Sequence, residues 1–310
     1  MPLTNYPQGV SSFGIPLIGS GPILTTGKVL FVNNSHGNAS DGNMGEQPDR
    51  PLRSLSAALA KCSPNNGDHI VCGPGHVETI TSADNVVIDV AGVSLIGLGR
   101  GSGRPTFKFT TSIDADINIA AANVLMHNFL FTGGIDSLQS PLDLTSAADD
   151  AALIDIEYRD VTGEAWNFLN LASGADRVLV DGFVYRGSNA AGGGRAIQAV
   201  AVNHLVLRNF WIDGNFSVGG IVFHTSASAN INIHDGYIRN RNTGDICIVD
   251  SATGSTGRIG PNLYLSIADN AANITEAITG ATWRLFGPIK VVNLDGEQAM
   301  DINTTTSTDA

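Results

Sequence analysis

The carboxylates Asp155, Glu157, Asp160 and Asp181 are the strongest candidates in the chain for acid–base chemistry. A glycoside hydrolase places two carboxyl groups on one groove, one raised in pKa to protonate the leaving oxygen and one ionised to attack or to activate water. Successive side chains of a strand alternate between its two faces, so Asp155 and Glu157 are expected on the same face and within reach of each other. The other members fit less well. Asp181 lies 27 residues after Ile154 rather than after Asp155, and Asp149-Asp150 sits in an Ala-rich turn. The set reads as a solvated acidic face, and no catalytic residue is assigned.

Other chemistries find fewer of their parts. A lyase acting on an acidic sugar needs a cation to neutralise the carboxylate and an Arg or Lys to take the proton. Arg177, Arg186, Arg195 and Arg208 are scattered, with no neighbouring cation site. The loop Asn38-Ala-Ser-Asp-Gly-Asn43 is rich in oxygen ligands but lacks the acidic order of a calcium loop. Gly97-Leu-Gly-Arg-Gly-Ser-Gly103 resembles a phosphate loop, yet no amphipathic helix follows to supply its dipole. No Gly-x-Ser-x-Gly elbow exists, and the seven His are not paired at metal-ligand spacing. Trp166, Trp211 and Trp283 could stack on sugar rings, but single aromatics on separate segments usually pack. No metal and no cofactor are expected.

The elements that must position these residues announce themselves as a repeat. Leu125-Met-His-Asn-Phe-Leu-Phe131, Ala152-Leu-Ile-Asp-Ile-Glu-Tyr158, Leu179-Val-Asp-Gly-Phe-Val-Tyr185, Val206-Leu-Arg-Asn-Phe-Trp-Ile212 and Ile233-His-Asp-Gly-Tyr-Ile-Arg239 centre on residues 128, 155, 182, 209 and 236, and one shorter step reaches Asn262. A period of 27 with short strands and no helix suits a β-solenoid; helical repeats and propeller blades have different internal periodicities. Stacked coils bury a continuous core. The same architecture explains the composition. Gly and Asn tolerate the positive φ of tight corners, and 36 glycines are present. Charged residues are only 15%, because identical positions of neighbouring coils face each other at sheet spacing, where like charges repel. One such column is expected to run His127, Ile154, Asp181, Arg208, Asp235, with ion pairs among its last three members.

Around the solenoid the chain divides into four parts. Residues 1–27 form an uncharged arm broken by Pro2, Pro7, Pro16 and Pro22, too punctuated for a helix or a regular strand. Its apolar residues suit docking on a protein surface, either that of its own chain or a sister subunit, or that of a different protein. Residues 28–92 hold opening strands and a helix over 51–62, whose apolar residues Leu52, Leu55, Ala58, Leu59 and Cys62 share one face. Residues 93–269 are the parallel β-helix, and 270–310 a C-terminal cap with a frayed tail. The helix and the C-terminal segment are the natural covers for the open ends of the column. Cys62, Cys72 and Cys247 cannot all pair and read as reduced thiols. A net charge of −12 argues against nucleic acid as a partner. No apolar run is long enough for a membrane helix, and MPLTNYPQGV does not read as a secretory signal.

The run Asp49-Arg-Pro-Leu-Arg-Ser-Leu-Ser-Ala-Ala-Leu59, followed by Gly67-Asp68-His-Ile-Val71 and Gly73-Pro-Gly75-His-Val-Glu78-Thr79, resembles the start of the pectate-lyase-like right-handed parallel β-helix superfamily. His76 and Val77 stand near where that pattern commonly has a Tyr. The resemblance implies an all-β, right-handed parallel β-helix with an N-terminal capping helix. That superfamily includes polysaccharide lyases, glycoside hydrolases and non-enzymatic virion parts, so fold does not decide function. The opening Thr4-Asn-Tyr-Pro-Gln-Gly-Val-Ser-Ser-Phe-Gly-Ile-Pro16 is similar to the start of small tailed-phage virion proteins. That likeness implies a capsid decoration, or cement, protein made in a bacterial cytoplasm and mounted as a homotrimer on the outer capsid surface. Tyr6, Pro7, Val10, Phe13, Ile15, Leu17 and Ile18 would then contact the major capsid protein. The alternative is a tailspike-like protein that binds or cleaves glycans.

Overall fold

The computed structural model describes residues 10–12, 15–17, 25, 27–161, 165–188, 193–242, 246–268, 277–280, 282–293 and 300–301. The body is an all-β, right-handed parallel β-helix. A first ladder stacks Val29–Val32, His69–Cys72, Ser94–Gly97, Leu125–His127, Ala152–Ile154 and Leu179–Asp181 in parallel. It continues through the leading halves of Val206–Gly214 and Ile231–Asn240 to Gly257–Ile259 and Trp283–Leu285. A second ladder holds Val77–Ile80, Thr106–Phe109, Leu130–Gly133, Glu157–Asp160 and Val184–Arg186, the trailing halves of the same two long strands, then Leu263–Ile267 and Ile289–Asn293. The third is a separate seven-stranded sheet: Val86–Ile88, Ile117–Ile119, Leu138–Leu144, Ala165–Leu171, Gly193–Ala199, Phe216–Phe223 and Ile246–Asp250.

Left-handed corners set the coil. One row comprises Asn123, Asp150, Arg177, His204 and Asn230; a second, five residues on, comprises Asn128, Asp155, Gly182, Asn209, Asp235 and Asn262. Most are Asn, Asp or Gly, the types that tolerate positive φ. The sequence period is thereby corrected in one coil. The short step falls between Asn209 and Asp235, so the corner residue is Asp235 and not Gly236. Gly236 instead pairs with Phe210, where a Cβ would stand 2.2 Å from the Phe210 ring; one aromatic fills the space of two. The column through His127, Ile154, Asp181 and Arg208 consequently ends on His234. Its ion pairs shrink to Arg208–Asp181 at 2.8 Å, while Asp235 binds its own neighbour His234 at 2.6 Å.

Alternate residues of each strand fill the interior. On the second ladder the inward column is Phe107, Phe131, Tyr158, Tyr185, Ile212, Ile238, Leu265 and Val291. Phe168 enters from the third sheet, 4.6 Å from Tyr158 and 5.6 Å from Phe183 between ring centroids. Residues of this kind bury 150–250 Å² each, so the aromatic stack is a large part of what holds neighbouring coils together.

The helix expected over 51–62 is confined to Leu55–Leu59. Leu52 is taken by a parallel bridge to Val32, and the Asp41 carboxylate accepts the N–H groups of Arg53 and Ser54. Ser54 caps the helix through Ala57 N, and Glu78 accepts from Leu55 N at 3.0 Å. Leu55, Ala58 and Leu59 are buried. The stack itself begins as early as Val29. The 40-residue offset between Val29 and its partner His69 holds the helix and loop, and this insertion masks the repeat there. At the other end, Met300–Asp301 pairs antiparallel with Ile289–Asn293. In the arm, Val10–Ser12 and Ile15–Leu17 form an antiparallel pair of three-residue strands belonging to neither large sheet. Against the expectation of no regular strand, the arm thus holds two short strands, the second of them including Pro16. Tyr6, Pro7, Phe13 and Ile18 lie outside the described residues.

Candidate functional site on the third sheet

The carboxylates singled out in the sequence do not converge. Asp155 occupies a left-handed corner, φ 53°, which breaks the period-two alternation that would have aligned it with Glu157. Its carboxylate faces His127 Nε2 at 3.2 Å. Glu157 is buried and receives three guanidinium groups: Arg104 Nη2, Arg159 Nε at 2.6 Å and Arg186 Nε at 2.9 Å. Burial raises its pKa, but the hydrogen bonds from Arg159 and Arg186 and the charge of Arg104 outweigh that and hold it below the usual glutamate range. A carboxylate held ionised this way is no general acid. Asp160 Oδ2 accepts Ser188 N–H at 3.1 Å. Asp181 is engaged by Arg208 and by Asn209 Nδ2 at 2.7 Å. Arg177 bridges Asp149 and Asp150.

The outward face of the third sheet carries a polar relay that the repeat did not reveal. Asn118, Asp143, Asn170 and Gln198 stand in register on successive coils. Asn170 Nδ2 donates to Asp143 Oδ1 at 2.6 Å, Gln198 Nε2 donates to Asn170 Oδ1 at 2.8 Å, and Arg195 Nη1 donates to Gln198 Oε1. Asn118 Nδ2 donates to Asp84, and Asp84 N–H to Asp116 Oδ1 at 2.6 Å. The relay has an acidic end and a basic end.

At the acidic end the pKa values rise. Asp116 is pushed up to about 6, first by burial and then by the charges of Asp84 and Asp143, against the hydrogen bond from Asp84 N–H. Asp143 is raised by burial and by Asp84, against the hydrogen bond from Asn170. At the basic end Arg195 is buried with no carboxylate within ion-pair distance among the described residues. Its guanidinium lies 5.6 Å from the Trp166 ring centroid, and burial lowers its pKa. Arg195 Nε, Asn167 Oδ1 and His224 Nδ1 are buried without a hydrogen-bond partner among the described residues; Asn167 and Arg195 are register neighbours. Burial and the Arg195 charge lower the His224 pKa. Buried polar groups are rarely left unsatisfied, because each costs roughly 1–3 kcal/mol.

No cluster of His, Cys, Asp and Glu able to hold a metal occurs among the described residues. Of the three tryptophans, Trp283 is buried against Phe223, Trp166 lies beneath Arg195, and Trp211 is exposed on the second sheet. The thiols of Cys62 and Cys247 are pushed up by burial to about 11 and about 12, and Cys72 is raised as well. All three are free and unsuited to nucleophilic attack. No helix is long and apolar enough to cross a membrane.

No family model matches the chain, and no curated protein matches it. Among solved structures it is similar to a rhamnogalacturonan lyase, at 12% identity and a TM-score of 0.45, over 77% of this chain and 81% of that one. The chemistry therefore rests on the residues above. The members of the third-sheet relay recur at spacings of 25, 27 and 28 residues, and Leu138–Leu144 carries register shifts. That irregularity hides the column from a search at fixed period.

Proposed function

We propose that this chain is a non-enzymatic structural protein of a tailed-phage virion, a capsid decoration protein whose N-terminal arm binds the major capsid protein while the β-helix stands outward, as a homotrimer. The observation that carries the reading is the division between arm and body. Residues 1–27 hold no charged side chain, so all 17 basic and 29 acidic residues lie on the body. The two arm strands pair with each other and with neither body sheet. A short uncharged hairpin suits strand addition to another protein, where main-chain hydrogen bonds give affinity and alternate side chains give specificity. A symmetric capsid is a natural setting for a closed, cyclic oligomer. The test is co-sedimentation with undecorated capsids. The full chain is expected to pellet with them and a chain lacking residues 1–27 to stay in solution while keeping its β-sheet circular dichroism; unaltered co-sedimentation would overturn the reading.

A second reading, a tailspike-like protein that binds or cleaves glycans, is favoured by the third-sheet relay. Asp116 and Asp143 both have carboxyl groups raised by burial, which suits proton donation to a glycosidic oxygen, and Arg195 supplies a cation for an acidic sugar. Under this reading the full chain releases reducing ends from a bacterial acidic polysaccharide, and Asp116→Asn abolishes the release. Absence of release across a panel of such polysaccharides would leave the relay a binding feature at most.

A further inference from the structure

The second sheet carries an exposed feature that neither reading uses. Its outward column runs Glu157, Val184, Trp211, Tyr237, Tyr264, Lys290. Trp211 and Tyr264 are 47% and 49% exposed, large values for such residues. Tyr237 stacks on one face of the indole, with centroids 4.2 Å apart and 27° between planes, and Lys290 Nζ lies 5.5 Å from the Tyr264 ring centroid. Trp211 is therefore braced from the C-terminal side. On its other side the register partner is Val184, which has no ring to offer.

Adjacent strands lie about 4.8 Å apart, so Trp211 and Glu157, two strands away from each other, bound a slot roughly 10 Å high whose floor is the strand between them, carrying Val184 and Arg186. The far wall is cationic. Glu157 offsets one of the three arginines that converge on it, leaving a local surplus of positive charge on a chain of net charge −12. Arg104 is buried and Arg159 also donates to Ser102 Oγ at 3.0 Å. Arg186 spends only Nε on Glu157; its side chain is 59% exposed, and its two terminal nitrogens have no partner among the described residues. Asp213, the register partner of Arg186, is neutralised by Arg241 at 2.6 Å.

We propose that this slot binds a saccharide unit carrying an acidic substituent, its ring laid on the face of Trp211 opposite Tyr237 and its acid group on the terminal nitrogens of Arg186. The weakly positive C–H face of a pyranose complements the negative face of an indole, and a ring stacked at van der Waals distance occupies the level of Val184. The guanidinium fork matches a carboxylate or an ester oxyanion in two-point geometry. Glu157 acts as a positioning residue that fixes Arg186, and Tyr237 as one that fixes the indole. The site lies on a different sheet from the third-sheet relay and does not depend on the virion reading.

The test uses the full chain with three hexasaccharides: hyaluronan (carboxylated), heparin (sulfated and carboxylated) and cellohexaose (neutral). Tryptophan fluorescence and titration calorimetry are the readouts. At least one acidic hexasaccharide is expected to bind, more tightly than cellohexaose and less tightly at high salt, and which one binds identifies the substituent. Trp211→Ala is expected to weaken it roughly ten-fold, in line with the loss of one stacking contact of about 1.4 kcal/mol, and to remove the fluorescence change. Arg186→Gln is expected to reduce the acidic sugar to the level of the neutral one. Both residues are exposed, so melting temperatures should hold and confirm folding. The proposal is overturned if neither acidic probe binds at millimolar concentration, or if Trp211→Ala leaves binding intact. It is equally overturned if Trp211→Ala dissociates an oligomer that binds no sugar, which would assign the face to a second copy of the chain.

Discussion

The second and third sheets present two outward faces built from the same coils, and they treat charge oppositely. On the second, the acid nearest the centre, Glu157, is surrounded by three arginines and held ionised. On the third, Asp84, Asp116 and Asp143 repel one another while Arg195, further along the same face, has no ion-pair partner among the described residues. A parallel stack allows both outcomes, because a side chain meets its register partners one coil away and reaches diagonally only if it is long. Arg104, Arg159 and Arg186 reach Glu157; Asn170 and Gln198 pass hydrogen bonds along the third face without bringing its opposite charges together. The second face owes stability to its charges, and the third bears an electrostatic cost.

That contrast can be broken most forcefully at Glu157. Glu157→Gln leaves three arginines, one of them buried, without a counter-charge, and the expected loss is about 3–5 kcal/mol, the usual consequence of orphaning one side of a buried pair, read as a lower denaturation midpoint in urea. On the third face the sign should invert. Arg195→Met removes a buried cation with no ion-pair partner among the described residues while keeping most of its volume, and a gain of roughly 1–3 kcal/mol is expected; a loss would mean that Arg195 is compensated structurally.

Asp116→Asn sharpens the comparison through pH. The folded-state pKa of about 6 lies above the ordinary aspartate value of 3.8, so the folded protein holds a proton that the unfolded chain has released. The cost is absent below pH 4, develops as pH rises through 4–6, and is complete above that. The variant should melt higher than the parent at pH 7.5, by the equivalent of about 1–2 kcal/mol, and match it at pH 4. On the first ladder, Asp181→Asn should cost no more than about 1 kcal/mol, because the Arg208 partner is substantially exposed and the pair screened by water.

The solenoid was legible in the sequence because corner chemistry and inward aromatics recur at nearly constant spacing between residues 123 and 262. It was misread by one residue at Gly236, where Phe210 fills the space of the missing side chain and the coil shortens. The start of the stack at Val29 was hidden by the long insertion before His69. Candidate chemistry was far less legible. Asp155 and Glu157 looked like a pair because alternation was assumed to run through a left-handed corner. The third-sheet relay went unseen because Asn118, Asp143, Asn170 and Gln198 are spaced unevenly, and Arg195 among four scattered arginines gave no sign that it would be buried with no ion-pair partner among the described residues.

The central claim is that attachment resides in the arm and not in the acidic body. Fusing residues 1–27 to an unrelated soluble carrier, and titrating that fusion and the armless β-helix separately onto undecorated capsids, tests it most directly. The account predicts saturable binding of the fusion at a fixed ratio to the major capsid protein and none of the armless body. Binding of the armless body with the fusion left in solution would contradict it.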